Sequence, residues 1–277
     1  MPGRRLLGLA VVIALLVPAG WGLFRFYRVF KPDQHGATVT RFTLQSRLVG
    51  RSLKEVVVVP KGGGTGRPLL VLLHGRSSSP GSYLTEYWFN ALAKLGSRAP
   101  VLLLVNGGDH SYYHDRADGH WGSYVLQEAM PAALKRTGAD RNRIAIGGIS
   151  MGGFGALSAG LQFPGLFCAV GGHSAALWRT GGETPQGAFD NAEDFRLFDV
   201  IKRASIGRAP LGRRTRVWID VGAQDPFVSA DTELVRVLRE HGQKVTFHIW
   251  PGSHSGSYWN AHAAAYLRFY ADALAAC

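Results

Sequence analysis

The sequence predicts an α/β fold with a mostly parallel central sheet and helices on both faces, preceded by one N-terminal transmembrane or signal helix. Three observations carry that prediction. Short, almost wholly apolar runs alternate with stretches of helical periodicity, as strands buried on both faces of a parallel sheet require. One such run ends at Gly148-Ile149-Ser150-Met151-Gly152, and a helix-like stretch follows it. Ahead of the first strand, residues 6–24 carry no charge. The composition of the 277 residues, 46% apolar and 18% charged, excludes a disordered, collagen-like or disulfide-scaffold chain.

The charge-free run LLGLAVVIALLVPAGWGLF reaches about 28 Å at about 1.5 Å per residue, enough to span a bilayer. Residues 1–31 therefore read as a membrane anchor or as a cleaved signal segment, with Arg4 and Arg5 as its charged start and Val17-Pro18-Ala19 as the cleavage site. The anchor is favoured, because Trp21, Phe24, Phe26 and Tyr27 continue past Ala19 as a helix end held at the membrane interface would. Arg4 and Arg5 stand against Arg25, Arg28 and Lys31, so charge does not orient the segment. A short head before a large body favours an extracytoplasmic body, tethered in the first reading and secreted in the second. The membrane is an expected partner through this helix.

Residues 32–277 read as one catalytic domain. Alternating residues at 39–48 and the run 53–59 predict two strands, an antiparallel lead-in that ends in the glycine-rich turn 61–66. The apolar runs 68–73, 100–105 and 143–148 predict parallel strands, spaced by helical stretches at 83–95 and 121–135. Further strands are expected at 167–171, 216–221 and 244–250, and helices at 153–162, 230–240 and 259–275. Residues 175–214 break the rhythm and read as an insertion over the carboxyl edge of the sheet, where open α/β sheets bind ligands.

Gly-x-Ser-x-Gly between a strand and a helix is the context of a nucleophile elbow, which makes Ser150 the candidate nucleophile of an α/β-hydrolase fold. Its hydroxyl needs a base and a carboxylate to orient that base, in the chain order Ser, acid, His. Asp225 and His254 fit, each in a loop directly after an expected strand. Asp220, Asp231, His248 and His262 fall within strands or on helices and are weaker candidates. The backbone N–H groups of Arg76, after His74-Gly75, and of Met151 are the expected oxyanion hole. His74 reads as a structural anchor of its loop.

Tyr112 and Tyr113 are expected to line the pocket and touch substrate. Asp109, His110, His114, Asp115 and His120 crowd the same loop, but their spacing matches no helical ligand pair, so no metal and no cofactor is expected. Cys168 and Cys277 offer neither zinc spacing nor a disulfide framework, and pairing between them stays open. The net charge is +12, of which +7 lies outside residues 1–31. Lys202, Arg203, Arg208, Arg213, Arg214 and Arg216 fall in a stretch without acids, which reads as a solvated face or, on a tethered enzyme, a contact with anionic lipid. No nucleic-acid module is recognisable, and nucleic acid is not an expected partner.

The sequence resembles the putative-esterase family, which includes esterase D (S-formylglutathione hydrolase), feruloyl esterase domains and mycolyltransferases. The resemblance covers about residues 45–275. It rests on Arg143-Ile144-Ala145-Ile146 before Gly148-x-Ser150-Met151-Gly152-Gly153, on His74-Gly75, on Gly222-x-x-Asp225-x-Phe227 and on Gly252-x-His254-x-x-x-Tyr258-Trp259. It implies Ser150 as nucleophile, Asp225 as orienting acid and His254 as base in a serine hydrolase that cleaves carboxylic esters of small molecules, lipids or carbohydrates through an acyl-enzyme. Two alternatives remain, acyl transfer to a carbohydrate hydroxyl and a catalytically silent surface-binding protein. The turn continues as Arg76-Ser77-Ser78-Ser79, unlike esterase D, and the N-terminal segment does not suit a cytosolic glutathione-thioester enzyme, so the natural substrate is not implied.

Overall fold

Alternating exposed and half-buried residues make β1 (Thr38–Gln45) the open edge of a sheet, and β2 (Ser52–Val59) pairs with it antiparallel, Thr38 opposite Val59. The leucine and valine runs that follow are β3 (Pro68–Leu73) and β4 (Val101–Val105), buried at every position. In the computed structural model, which describes residues 32–277, these strands belong to an eight-stranded sheet. The expected N-terminal helix at 6–24 lies outside the described residues. A small hairpin, β5 (Asp115–Arg116) with β6 (Gly119–His120), stands apart. The sheet continues with β7 (Asp140–Ile149), β8 (Ala169–His173), β9 (Arg216–Gly222) and β10 (Val245–Trp250), in the order β1-β2-β4-β3-β7-β8-β9-β10. From β4 onward every neighbour runs parallel, as expected of strands with both faces covered.

The helices are α1 (Glu86–Lys94), α2 (Trp121–Tyr124), α3 (Met130–Thr137), α4 (Met151–Gln162), α5 (Ala192–Phe198), α6 (Val200–Ala204), α7 (Val228–Glu240) and α8 (Gly256–Ala275). The single helix expected at 121–135 is interrupted by a π turn, Val125–Ala129. Pro131 explains it: a proline inside a helix cannot donate to the preceding turn and its ring crowds the carbonyl there, so the turn widens. Strand pleating sends Leu69, Val71 and Leu73 to one face, where they pack with Tyr124, Phe154 and Leu234. Leu70 and Leu72 go to the other, with Trp88, Leu92, Tyr266 and Tyr270. Residues Gln34–Cys277 thus form a compact unit with its own core on both faces of the sheet.

Residues 175–214, expected as an insertion, make up all but the end residues of the connection between the parallel neighbours β8 and β9 and carry α5 and α6. Arg116 fastens this segment to the hairpin by donating to Asp190 at 2.8 Å and to the carbonyl of Gly187 at 2.9 Å. Cys168, just before β8, is disulfide-bonded to Cys277, with a Cα–Cα distance of 5.8 Å. This joins the end of α8 to the sheet, the pairing the sequence left open.

Candidate active site

Four loops at the carboxyl edge of the sheet, after β3, β7, β9 and β10, carry the candidate residues. Ser150 links β7 to α4 with φ 56° and ψ −116°, a left-handed backbone that costs a non-glycine residue about 1–3 kcal/mol and persists only where packing enforces it. Packing does so here. A Cβ on Gly148 would lie 2.3 Å from the carbonyl carbon of Gly152, and one on Gly152 would lie 1.9 Å from the carbonyl oxygen of Leu73. The Ser150 N–H donates to the His173 carbonyl at 3.0 Å, and its carbonyl accepts from Phe154 at 3.0 Å and Ala176 at 3.1 Å.

The structure brings Ser150, Asp225 and His254 together. Ser150 Oγ is 2.9 Å from His254 Nε2, and His254 Nδ1 is 2.9 Å from Asp225 Oδ2. Asp225 is buried, and its carboxylate can only accept, which places the ring proton on Nδ1 and leaves Nε2 free to take the serine proton. Burial pushes the Asp225 carboxyl up, but hydrogen bonds from His254, from the Phe227 N–H at 2.9 Å and from the Ser174 hydroxyl hold it below its ordinary value. The His254 ring sits edge-on between Phe227 and Trp259, with centroids 5.2 and 5.0 Å away. Trp259 in turn donates from Nε1 to Ser174 Oγ at 3.2 Å.

Gly75 lies against Ser150, since a Cβ on it would be 3.5 Å from Ser150 Cβ. The N–H groups of Arg76 and Met151 have no acceptor among the described residues and are available to an oxyanion. His74 braces this loop from inside. It is fully buried, its Nδ1 donates to the Gly75 carbonyl at 2.8 Å, and its Nε2 accepts from the Gly107 N–H at 3.1 Å. Burial holds its pKa below the usual histidine value, which keeps the ring in the neutral form this pattern requires.

Tyr113 does not line the pocket. Its hydroxyl accepts from the His74 N–H at 2.9 Å, and its ring occupies the space a side chain on Gly107 or Gly155 would need. Tyr112 is also buried, packed against Phe154, Trp178 and Phe189, with its hydroxyl bonded to the Arg76 side chain. Both residues have positive φ, 51° and 53°, and both side chains are buried rather than at the pocket where the sequence places them. The polar loop side chains do not converge. His114 meets Asp194 at 3.0 Å, whereas Asp115 accepts from the N–H and hydroxyl of Ser123 at 2.8 and 2.5 Å.

The pocket beside Ser150 holds about 290 Å³ and is lined by Gly75, Arg76, Ser78, Ile149, Ser150 and His254 together with residues the sequence did not single out, Ser82, Trp88 and Asn260. Beneath it, Asp220, a weaker candidate from its place in a strand, is a structural hub. It accepts from His173, Trp218, Tyr258 and Tyr266 at 2.7–2.9 Å. His173, buried and stacked on Tyr266 at 3.7 Å, is its partner, and nothing in the local sequence pattern announces that pair.

The family model described as "Putative esterase" matches residues 46–270. An acetyl esterase of Caldicellulosiruptor saccharolyticus is 24% identical over 215 residues, covering 70% of this chain and 80% of that protein. An esterase of Mycobacterium tuberculosis is 24% identical over 184 residues, which is 62% of this chain and 39% of that longer protein. Among solved structures, a ferulic acid esterase superposes with a TM-score of 0.76 at 23% identity, covering 87% of this chain and 100% of that one. An S-formylglutathione hydrolase from Agrobacterium tumefaciens reaches 0.74 at 18% identity, covering 87% and 96%. These two likenesses establish a shared fold. Because the family match extends from just before β2 through most of α8, the chain belongs to the putative-esterase family and is a carboxylic ester hydrolase of the serine type.

Proposed function

We propose that Ser150 is the nucleophile in the hydrolysis of carboxylic esters with short acyl groups, with His254 as base, Asp225 orienting it, and the amides of Arg76 and Met151 holding the oxyanion. The observation that carries this reading is the hydrogen-bonded chain from Ser150 through His254 to Asp225, 2.9 Å at each step, on a strained elbow. His254 Nε2 takes the hydroxyl proton as Ser150 Oγ attacks the ester carbonyl, and the carbonyl oxygen becomes an anion facing the two amides. Collapse of this intermediate breaks the bond to the alcohol, which leaves with the proton held by His254. Water, deprotonated by the same nitrogen, then releases the acid and restores Ser150. Each oxyanion donor is worth about 10²–10³ in kcat.

The pocket, at about 290 Å³, is just smaller than the usual run of ligand sites, about 300 to 1,000 Å³, and this supports a short acyl group. The name of the acetyl esterase relative agrees. The test is hydrolysis of p-nitrophenyl esters from acetyl to long acyl by residues 32–277, with Ser150→Ala alongside. The highest kcat/KM is expected on the shortest esters, with loss of nearly all activity in Ser150→Ala. A long-chain optimum rejects the short-acyl reading, and activity retained by Ser150→Ala rejects the nucleophile.

We also infer that the body is exported and that residues 6–24 hold it at a membrane. The charge-free run and the Cys168–Cys277 disulfide support this, since disulfides persist in oxidising compartments. Release of the full chain from membranes by an alkaline carbonate wash argues against the tether.

A further inference from the structure

At the amino edge of the sheet, opposite Ser150, a groove of about 530 Å³ opens between the end of α4 and the segment around α5 and α6. Leu161, Leu197 and Ile206 supply its apolar wall, Lys202, Arg203 and Arg208 stand around it, and no acid lines it. Large apolar side chains left exposed among the described residues concentrate in the two segments that border it. Phe163 (46%), Leu166 (45%), Leu197 (49%) and Ile206 (66%) are there, whereas Tyr87 and Ile249 are elsewhere. Exposed apolar groups gathered in one place on a soluble body mark a contact surface.

The charge around the groove is as one-sided as the exposure. Arg213, Arg214 and Arg216 lead into β9 and Lys244 into β10, all exposed, and Arg141 stands exposed at the start of β7. The acids near this edge are already engaged, Asp140 with Arg143 and Glu240 with Arg236, both at 2.7 Å, Glu193 with Arg196, and Asp199 with the Lys202 N–H at 2.9 Å. The carboxyl edge is mixed in charge, with Asp109, Asp115, Asp118 and Asp190 beside Arg76, Arg116 and Arg179 in its loops. Cations near helix carboxyl ends are favoured by the helix dipole, which accounts for Lys202, Arg203 and Arg239. It does not account for Arg208, Arg213, Arg214 or Lys244, nor for the uncovered apolar side chains. The chain enters the sheet at Thr38 on this same edge, because β1 and β4 run in one direction on either side of the antiparallel β2.

We propose that this edge docks on an anionic lipid bilayer, with Ile206 and Leu197 entering the headgroup layer and Lys202, Arg208, Arg213 and Arg214 facing lipid phosphates. A surface that combines exposed apolar side chains with an excess of exposed cations matches an anionic membrane on both counts. Docked in this way, the body presents the Ser150 pocket away from the bilayer and takes its ester from the aqueous side. The surface belongs to the body and acts independently of residues 1–31.

Residues 32–277 carry the complete sheet, both cores and the disulfide, so they serve as a folded test body. Sedimentation with vesicles of phosphatidylcholine, pure or mixed with phosphatidylglycerol, reads the docking, and p-nitrophenyl acetate hydrolysis checks that each variant is folded. Binding is expected on the anionic vesicles, weakening as salt rises. It should fall by about tenfold or more in Lys202→Glu/Arg208→Glu/Arg213→Glu and fall in Ile206→Ser at unchanged charge. Equal partition onto neutral and anionic vesicles, or binding untouched by charge reversal, overturns the proposal. So does binding that Ile206→Ser leaves intact and free polyphosphate competes away, which assigns the edge to a soluble polyanion. Lipid-free self-association abolished by Ile206→Ser overturns it in favour of a second copy of the chain.

Discussion

The α-carbon of Gly152 is pressed so closely on β3 that a Cβ there would stand 1.9 Å from the Leu73 carbonyl oxygen. That contact sets how far the Met151 amide, on α4, lies from the Arg76 amide just beyond Leu73. A methyl group at Gly152 has to push α4 off the strand and spread the two donors. Gly152→Ala is therefore expected to lower kcat by about 10²-fold or more and to reduce thermal stability, since misplacement by about 1 Å costs that much in a positioned site. Steady-state kinetics with thermal unfolding checks it, and unchanged kcat contradicts the spacing argument.

Asp225 and Asp231 face the same region with opposite consequences. Asp225→Asn should cost about 10⁴ in kcat, because an amide selects the wrong ring tautomer of His254. Asp231 is fully buried, and neither of its carboxyl oxygens has a hydrogen-bond partner in good geometry among the described residues, so burial first, then the charges of Asp225 and Asp220, push it well above the carboxylate range against a weak opposing pull from the Ala175 backbone. The folded protein then holds a proton that the unfolded chain releases above about pH 4. Stability from this group is full in acid and declines as pH rises beyond that value. Asp231→Asn should retain activity and flatten the decline in urea unfolding measured across pH, and a steeper decline contradicts the assignment.

Glu55 on β2 behaves similarly in a narrower window. Burial raises it from 4.5 to about 7, opposed by the Tyr124 hydroxyl at 2.5 Å and the Asn106 N–H at 2.9 Å. The stability it contributes is lost as pH rises from about 4.5 through about 7. Removing the phenol donor by Tyr124→Phe should raise the Glu55 pKa further, as followed by carboxyl NMR titration. A fall would show that the hydrogen bond stabilises the acid form.

Tyr113→Phe removes the acceptor of the buried His74 N–H. An unsatisfied buried donor costs about 1–3 kcal/mol, and the loop bearing Arg76 should loosen with it. Lower unfolding free energy together with lower kcat is expected. A kcat loss without any stability loss would restore Tyr113 as a substrate contact.

The Cys168–Cys277 bridge closes a separation of 109 residues. Its loss, by reductant or by paired Ser substitutions, should lower the unfolding free energy by about 2–4 kcal/mol. Native kcat should stay unchanged, because Cys168 lies at the sheet edge away from Ser150. Equal urea midpoints with and without reductant would contradict the prediction.

Much of the fold and of the site is legible in the chain because its causes are local. The runs that become β3, β4 and β7 are apolar at consecutive positions because both faces of a central strand are covered, and that pattern survives any tertiary detail. The elbow is legible because a strained turn needs small neighbours at fixed spacing, so Gly148 and Gly152 mark Ser150. Asp225 and His254 stand out because each directly follows a strand, where a parallel sheet gathers its loops. The π turn at Val125–Ala129 has a local cause in Pro131, but its extent depends on how the helix packs. The burial of Tyr112 and Tyr113, the His173–Asp220 pair, the isolation of Asp231 and the meeting of Cys168 with Cys277 join residues distant in the chain. Their environments exist only after folding, because burial and hydrogen-bond partners depend on which remote surfaces come within contact distance. Sequence by itself determined the order of strands and helices along the chain and pointed to Ser150, Asp225 and His254, whereas tertiary packing decided that they meet and what surrounds them.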